Sequence, residues 1–178
     1  MPRSITWSER HDDADRHASP CYPRPMAFAS HILVPTDFSQ ASNLAVDAAA
    51  MLGRELGAKL TLVHVHDPDA LRPPASVGWS PAQQQTLDKE IEQAVARSFT
   101  TLEQERLAGV EVADKVILHD TSAAHAICRY AEKIGADLIV IATHGRTGLK
   151  HLVIGSVAER VVRHASCPVL TLRSTLRD

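Results

Sequence analysis

From His31 onward, short apolar runs alternate with longer stretches of helical period, and that alternation leaves few folds open. Ile32-Leu33-Val34 is a continuous apolar run ending at Pro35, as expected of a strand buried on both faces. Leu60 to Val65, Val112 to Leu118, Leu138 to Ala142 and Val169 to Leu172 read as four further strands. Ser39 is the expected N-cap of a helix carrying Leu44, Ala48, Leu52 and Leu56 near one face and closed by Gly57. Residues 66 to 79, with Pro68, Pro73, Pro74 and Gly78, read as a loop. Ser80-Pro81 then pairs an N-cap with a proline at the first helical position. That helix shows Leu87, Ile91, Val95 and Leu102 at helical spacing and stops near Gly109. Thr121 or Ser122 caps a helix bearing Ile127, Ala131 and Ile134 and ended by Gly135, and a short helix follows from Ser156.

Strands separated by helices imply a parallel sheet with right-handed crossovers. The expected architecture is α/β: one doubly wound five-stranded parallel sheet, order 3-2-1-4-5, with helices on both faces. Residues 1–29 mix Arg, Asp, His, Ser and Pro without an apolar period, so they are expected to form a mobile extension ahead of a single domain over residues 30–178. A net charge of −2 provides no field to draw the chain onto nucleic acid or an anionic membrane. Aromatic residues make up 4%, too few for rows of base-stacking platforms. No apolar run approaches the roughly 18–20 residues of a membrane span, and the N-terminus lacks a signal-peptide core. Cys21, Cys128 and Cys167 are dispersed and odd in number, which fits a reducing, cytoplasmic setting better than a disulfide framework.

Doubly wound sheets bind ligands at the carboxyl ends of strands, where strand order reverses. Two segments lie there. Pro35-Thr36-Asp37 ends the first strand, and Thr143-His144-Gly145-Arg146-Thr147-Gly148 follows the fourth, leading to Gly155-Ser156. If strands one and four are neighbours, both segments open on one crevice. Glycines at 145, 148 and 155 allow close backbone approach to a phosphate. The helix after Gly155 would aim unpaired N–H groups at the anion, with the side chain of Arg146 in the same loop. Asp37 suits a donor instead: an adenine amino group, a ribose hydroxyl or a phosphate-bound Mg²⁺. The competing structural reading is that Ser156-x-x-Glu159 is a capping box that only closes its own helix. Neither a P-loop nor a GxGxxG fingerprint is present.

The segments HILVPTDFS (31–39), LTLVHVHDP (60–68) and LIVIATHGRTGLKHLVIGSVAERVVRHASCPVLTLR (138–173) together resemble the universal stress protein family, in its nucleotide-binding subgroup. That family's motif is a glycine, two residues, a glycine, nine residues, then glycine followed by Ser or Thr. Gly145, nine intervening residues and Gly155-Ser156 match it, and the first glycine falls on Ala142. The resemblance implies that Asp37 and the backbone of Val65 hold adenine, beside Pro35 and Thr36. It implies that Gly145, Gly155, Ser156 and Val157 hold the phosphates, with His144, Arg146 and Gly148 in the same loop. The implied ligand is ATP, ADP or AMP, with or without Mg²⁺, and the implied assembly is a homodimer through Val169–Leu172. An apolar strand on a sheet edge is itself a pairing template.

Ten histidines invite a metal site, but His64 and His66 lack a third ligand at a recognisable spacing, so none is expected. Nothing in the loops supplies a general base, so no catalytic residue is assigned and at most slow hydrolysis is expected. Two other functions stay open: a Mg-dependent nucleotide hydrolase using Asp37, and a nucleotide-free dimeric scaffold.

Overall fold

Alternate residues of each buried strand feed two separate cores, one on each face of a parallel sheet. The structure, a computed structural model, describes residues 29–70, 78, 80–143 and 155–173. Along the chain run β1 (His31–Pro35), α1 (Gln40–Leu56), β2 (Lys59–His66), α2 (Pro81–Arg106), β3 (Val112–His119), α3 (Ala123–Ile134), β4 (Leu138–Ala142), α4 (Ser156–His164) and β5 (Val169–Leu172). The five strands are all parallel, in the order β3-β2-β1-β4-β5. Both the fold class and the order agree with the sequence reading.

Ile32 and Val34 of β1 join Leu60, Leu62 and Val140 in the core under α1 and α2. Leu33, between them, points the other way, into the core shared with α3 and α4. A strand whose residues must be apolar on both sides cannot show period-two alternation, and β1 is buried throughout. Ala29 is also fully buried in the first core. Residues 1–28 lie outside the described residues.

The helices start and stop where the local chemistry directs. The Ser39 hydroxyl accepts from the Ser42 N–H, and Gly57 closes α1 in the left-handed conformation at φ +65. Ser80 and Gln83 form a reciprocal capping box at the start of α2. In α1 the buried stripe is not the one expected. It consists of Ala45, Val46, Ala49, Ala50 and Gly53, while Leu44 is 37% exposed. Small residues bring α1 close to the sheet. A Cβ on Gly53 would lie 2.8 Å from Val110 Cγ1 and 3.1 Å from the Ala58 carbonyl oxygen. Ala48, Leu52 and Leu56 flank this contact, half-buried.

The start of β1 is tied down by one carboxylate. Asp137 Oδ2 accepts from the Ser30 hydroxyl (2.6 Å), the Ser30 N–H (2.8 Å) and the His31 N–H (2.9 Å). These donors, the Ser30 hydroxyl foremost, hold the Asp137 carboxyl below its ordinary value. A depressed folded pKa contributes stability above the unfolded pKa, and that stability is lost as pH falls through the folded value. Asp137→Ala should therefore lower stability by about 1–2 kcal/mol near neutral pH. In paired thermal melts the deficit should shrink below about pH 4; an equal deficit at about pH 3 and pH 7 would refute the assignment.

Candidate functional site

β1 pairs with β2 on one side and β4 on the other, so the chain leaving β1 and the chain leaving β4 diverge. A crevice must open between them at the carboxyl ends of the strands. A cleft of about 310 Å³ lies there, within the roughly 300–1,000 Å³ typical of small-ligand sites. Val63 and Val65 of β2 and Ile141 and Ala142 of β4 form its apolar floor, with Ala123 and Ile127 of α3 as one wall. Its polar rim comes from Thr36 and Asp37 after β1, Thr143 after β4, and the start of α4.

The turn after β1 is shaped by an unusual residue. Phe38 adopts φ +63, the left-handed region that a bulky side chain rarely enters, at a cost of about 1–3 kcal/mol. Its ring compensates by packing 5.0 Å from the His64 ring and edge-on to Phe99 at 5.2 Å. Its N–H donates to Thr36 Oγ1 (3.0 Å), which also meets Ser42 Oγ at 3.1 Å. Next to it, the Ser39 N–H donates to Asp37 Oδ1 (3.1 Å). The Thr36 carbonyl accepts from His64 Nδ1 (2.9 Å), so that ring nitrogen carries a proton. This network holds Thr36 and Asp37 at the rim.

The other side is set mainly by backbone, with the Thr143 hydroxyl also donating to the Leu172 carbonyl (3.3 Å). The Thr143 N–H donates to the Leu172 carbonyl (2.8 Å), and the Gly155 N–H donates to the Thr143 carbonyl (2.6 Å). In α4 the first intrahelical bond runs from the Glu159 N–H to the Gly155 carbonyl. The N–H groups of Ser156, Val157 and Ala158 precede that bond and have no intrahelical acceptor. All three residues line the cleft. They present partial positive charge over an apolar floor, an arrangement suited to an anion attached to a flat apolar group.

Of the residues singled out by sequence, Pro35, Thr36, Asp37, Val65, Ala142, Gly155, Ser156 and Val157 meet in this one cleft. His144, Gly145, Arg146 and Gly148 lie outside the described residues. One expectation is corrected. Ser156 is not an N-cap; Gly155 holds that position with extended backbone (φ −69, ψ 153), and Ser156 is the first residue of α4. The Ser156–Glu159 pattern is therefore not a capping box. Ser42, Ala123 and Ile127 also line the cleft. No sequence signal marked them, since only the packing of α1 and α3 on the sheet brings them there.

Among the described residues no group of three or more His, Cys, Asp or Glu is placed to hold a metal ion. His64 serves the cleft wall, while the His66 ring contacts the His119 ring at 5.7 Å. Cys128 and Cys167 are free thiols packed against the α3/α4 core, and burial pushes both up from the ordinary thiol value.

Residues 29–173 match the model of the universal stress protein family. The chain belongs to that family. It is 33% identical over 148 residues to universal stress protein MJ0531 of Methanocaldococcus jannaschii, covering 83% of this chain and 84% of that one. The solved structure of universal stress protein UspA from Lactobacillus plantarum superposes with TM-score 0.67 at 30% identity, over 81% of this chain and 97% of that one. A universal stress protein from Archaeoglobus fulgidus, solved in complex with dAMP, shares the fold at TM-score 0.52 and 22% identity, over 79% and 94% of the two chains.

Because Ser156 caps nothing, Ser156→Ala should change folding stability by less than about 0.5 kcal/mol. Loss of a true N-cap would cost about 1 kcal/mol. Denaturant titration of the variant distinguishes the two.

Proposed function

We propose that this universal stress protein is a regulatory module that binds an adenine nucleotide in the cleft between β1 and β4. The observation that carries the reading is the start of α4. Three N–H groups without intrahelical acceptors face a cleft whose floor is apolar and whose far rim bears a carboxylate. A nucleotide offers the complementary set: anionic phosphates, a flat base and an exocyclic amino group. In this reading Asp37 accepts from the adenine amino group and the Val65 backbone meets the base edge. Gly155, Ser156 and Val157 receive the phosphates, with Gly145 contributing from the motif loop. The dAMP complex of the Archaeoglobus fulgidus relative supports a nucleotide on this fold.

Ala142 stands where the motif has its first glycine, and it lines the cleft beside Thr143. ATP is the proposed ligand, with ADP or AMP as its products or alternatives and Mg²⁺ as the counter-ion of the phosphates. The proposed role is binding, with at most slow turnover. The setting is the cytoplasm, with neither nucleic acid nor membrane as partner; among the described residues no helix is long and apolar enough to cross a membrane. The partner is a second copy of the chain. β5 is a sheet edge whose Leu170 is 38% exposed, an open template for strand pairing. Sedimentation at micromolar concentration should give a dimer, and Leu170→Pro should dissociate it while the fold persists; a monomeric wild type would contradict this.

Denaturing freshly purified protein and chromatographing the supernatant should release an adenine nucleotide. Gly155→Val, which places a branched side chain where the phosphate approaches, should raise the ATP dissociation constant at least about tenfold, roughly 1.4 kcal/mol. A folded variant with wild-type ATP affinity would sink the phosphate assignment.

A further inference from the structure

A second cavity, about 230 Å³, adjoins the cleft; Val65, Ala123, Ser156 and Val157 line both. Its remaining walls differ in character. Asp67 follows β2, Asp120, Thr121 and Ser122 connect β3 to α3, and Arg160 lies one turn into α4. The origin of the two aspartates is visible in the sequence as a repeated His-Asp at the ends of β2 and β3. His66 stands opposite His119 in the parallel register, and the Asp120 N–H donates to the His66 carbonyl (3.1 Å). The two histidine rings meet each other, while the next residue in each strand lines the cavity.

Asp120 Oδ2 meets the exposed His125 Nδ1 at 3.4 Å, while neither aspartate pairs with Arg160 among the described residues. Asp120 Oδ1 accepts from the Ser122 N–H (2.8 Å), its side chain is 26% exposed, and that backbone donor holds the carboxyl below its ordinary value. Asp67 Oδ1 accepts from the Asp69 N–H (2.9 Å), and Oδ2 has no donor among the described residues. Arg160 has no carboxylate partner among the described residues, although Arg163 in the same helix pairs with Glu159 at 2.9 Å. Two carboxylates and a guanidinium without a carboxylate partner among the described residues share one polar cavity. A phosphate alone would be repelled by the aspartates, and an amine alone would be repelled by Arg160. Hydroxyl groups joined to a phosphate satisfy both, since carboxylates at strand ends accept well from ribose hydroxyls and a guanidinium matches phosphate oxygens.

We propose that the second cavity receives a ribose linked through the phosphates to the nucleotide in the cleft, so that the preferred ligand class is a nucleoside pyrophosphate bearing a second ribose. The inference rests on the nucleotide reading above. The shared wall at Ser156 and Val157 supports it, because a phosphate chain crossing the start of α4 leads from one cavity into the other.

Isothermal calorimetry on the full chain with ADP and with ADP-ribose separates this inference from the reading beneath it. ADP-ribose should bind at least about tenfold tighter than ADP, the gain expected of one charge-assisted hydrogen bond. Asp120→Asn, which keeps the acceptor for the Ser122 N–H, should bring that ratio to within about threefold, whereas Arg160→Gln, which removes a phosphate partner common to both ligands, should weaken both. Thermal melts establish that each variant is folded. If wild type binds both ligands equally, the second-ribose assignment is wrong and the nucleotide reading stands. A preference for ADP-ribose that survives Asp120→Asn also overturns the assignment, because its source then lies elsewhere. If ADP itself does not bind, both readings fall together.

Discussion

Burial of β1 on both faces and along both edges sets the position of everything at the cleft. β1 is hydrogen-bonded to β2 and β4, covered by α1 on one face and by the α3/α4 core on the other. A strand enclosed this way has no freedom to slide, because a one-residue slip would exchange Leu33 with its neighbours across the sheet. The turn that follows therefore starts from a fixed point. Asp137 secures the opposite end of the same strand through the Ser30 and His31 amides. The strained backbone at Phe38 is tolerable only because its ring is held by His64 and Phe99, both anchored in that rigid frame.

The fold was legible in the sequence wherever one physical cause dominated. Continuous apolar runs such as Ile32-Leu33-Val34 and Leu138 to Ala142 admit little besides strands buried on both faces, and Gly57 and Gly135 ended their helices in the left-handed conformation. Reading failed where two causes compete. In α1 leucines were expected to mark the buried face, but close approach to the sheet rewards small residues, and the alanines and Gly53 take that role. Ser156 fits the local rule for an N-cap, yet Gly155 holds that position in the extended conformation and the helix begins one residue earlier than the rule requires.

The candidate site was legible in part for a related reason. Its residues on strand ends, Thr36, Asp37 and Val65, follow from topology once the strands are known. The α3 residues Ala123 and Ile127 carry no chemical signature and enter the cleft only through tertiary packing. Phe38 is the least legible of all, because nothing in a phenylalanine announces a positive φ. Similarly, the polar lobe beside the cleft depends on Asp67 and Asp120, 53 positions apart in sequence numbering, being brought level by the pairing of β2 with β3.

The rim on the α4 side is built from a relay of main-chain bonds, Leu172 to Thr143 to Gly155. Apart from proline at 143 or 155, side-chain substitution does not remove the N–H and carbonyl groups of such a relay, so the geometry it imposes is largely insulated from sequence drift. Its two ends belong to different parts of the molecule: one is the outermost strand of the sheet, the other the first turn of the helix that faces the cleft. A displacement of the outer strand is thereby passed to those amides by rigid peptide groups, with no rotatable side chain to absorb it. The edge of the sheet and the mouth of the cleft are in this sense one mechanical element.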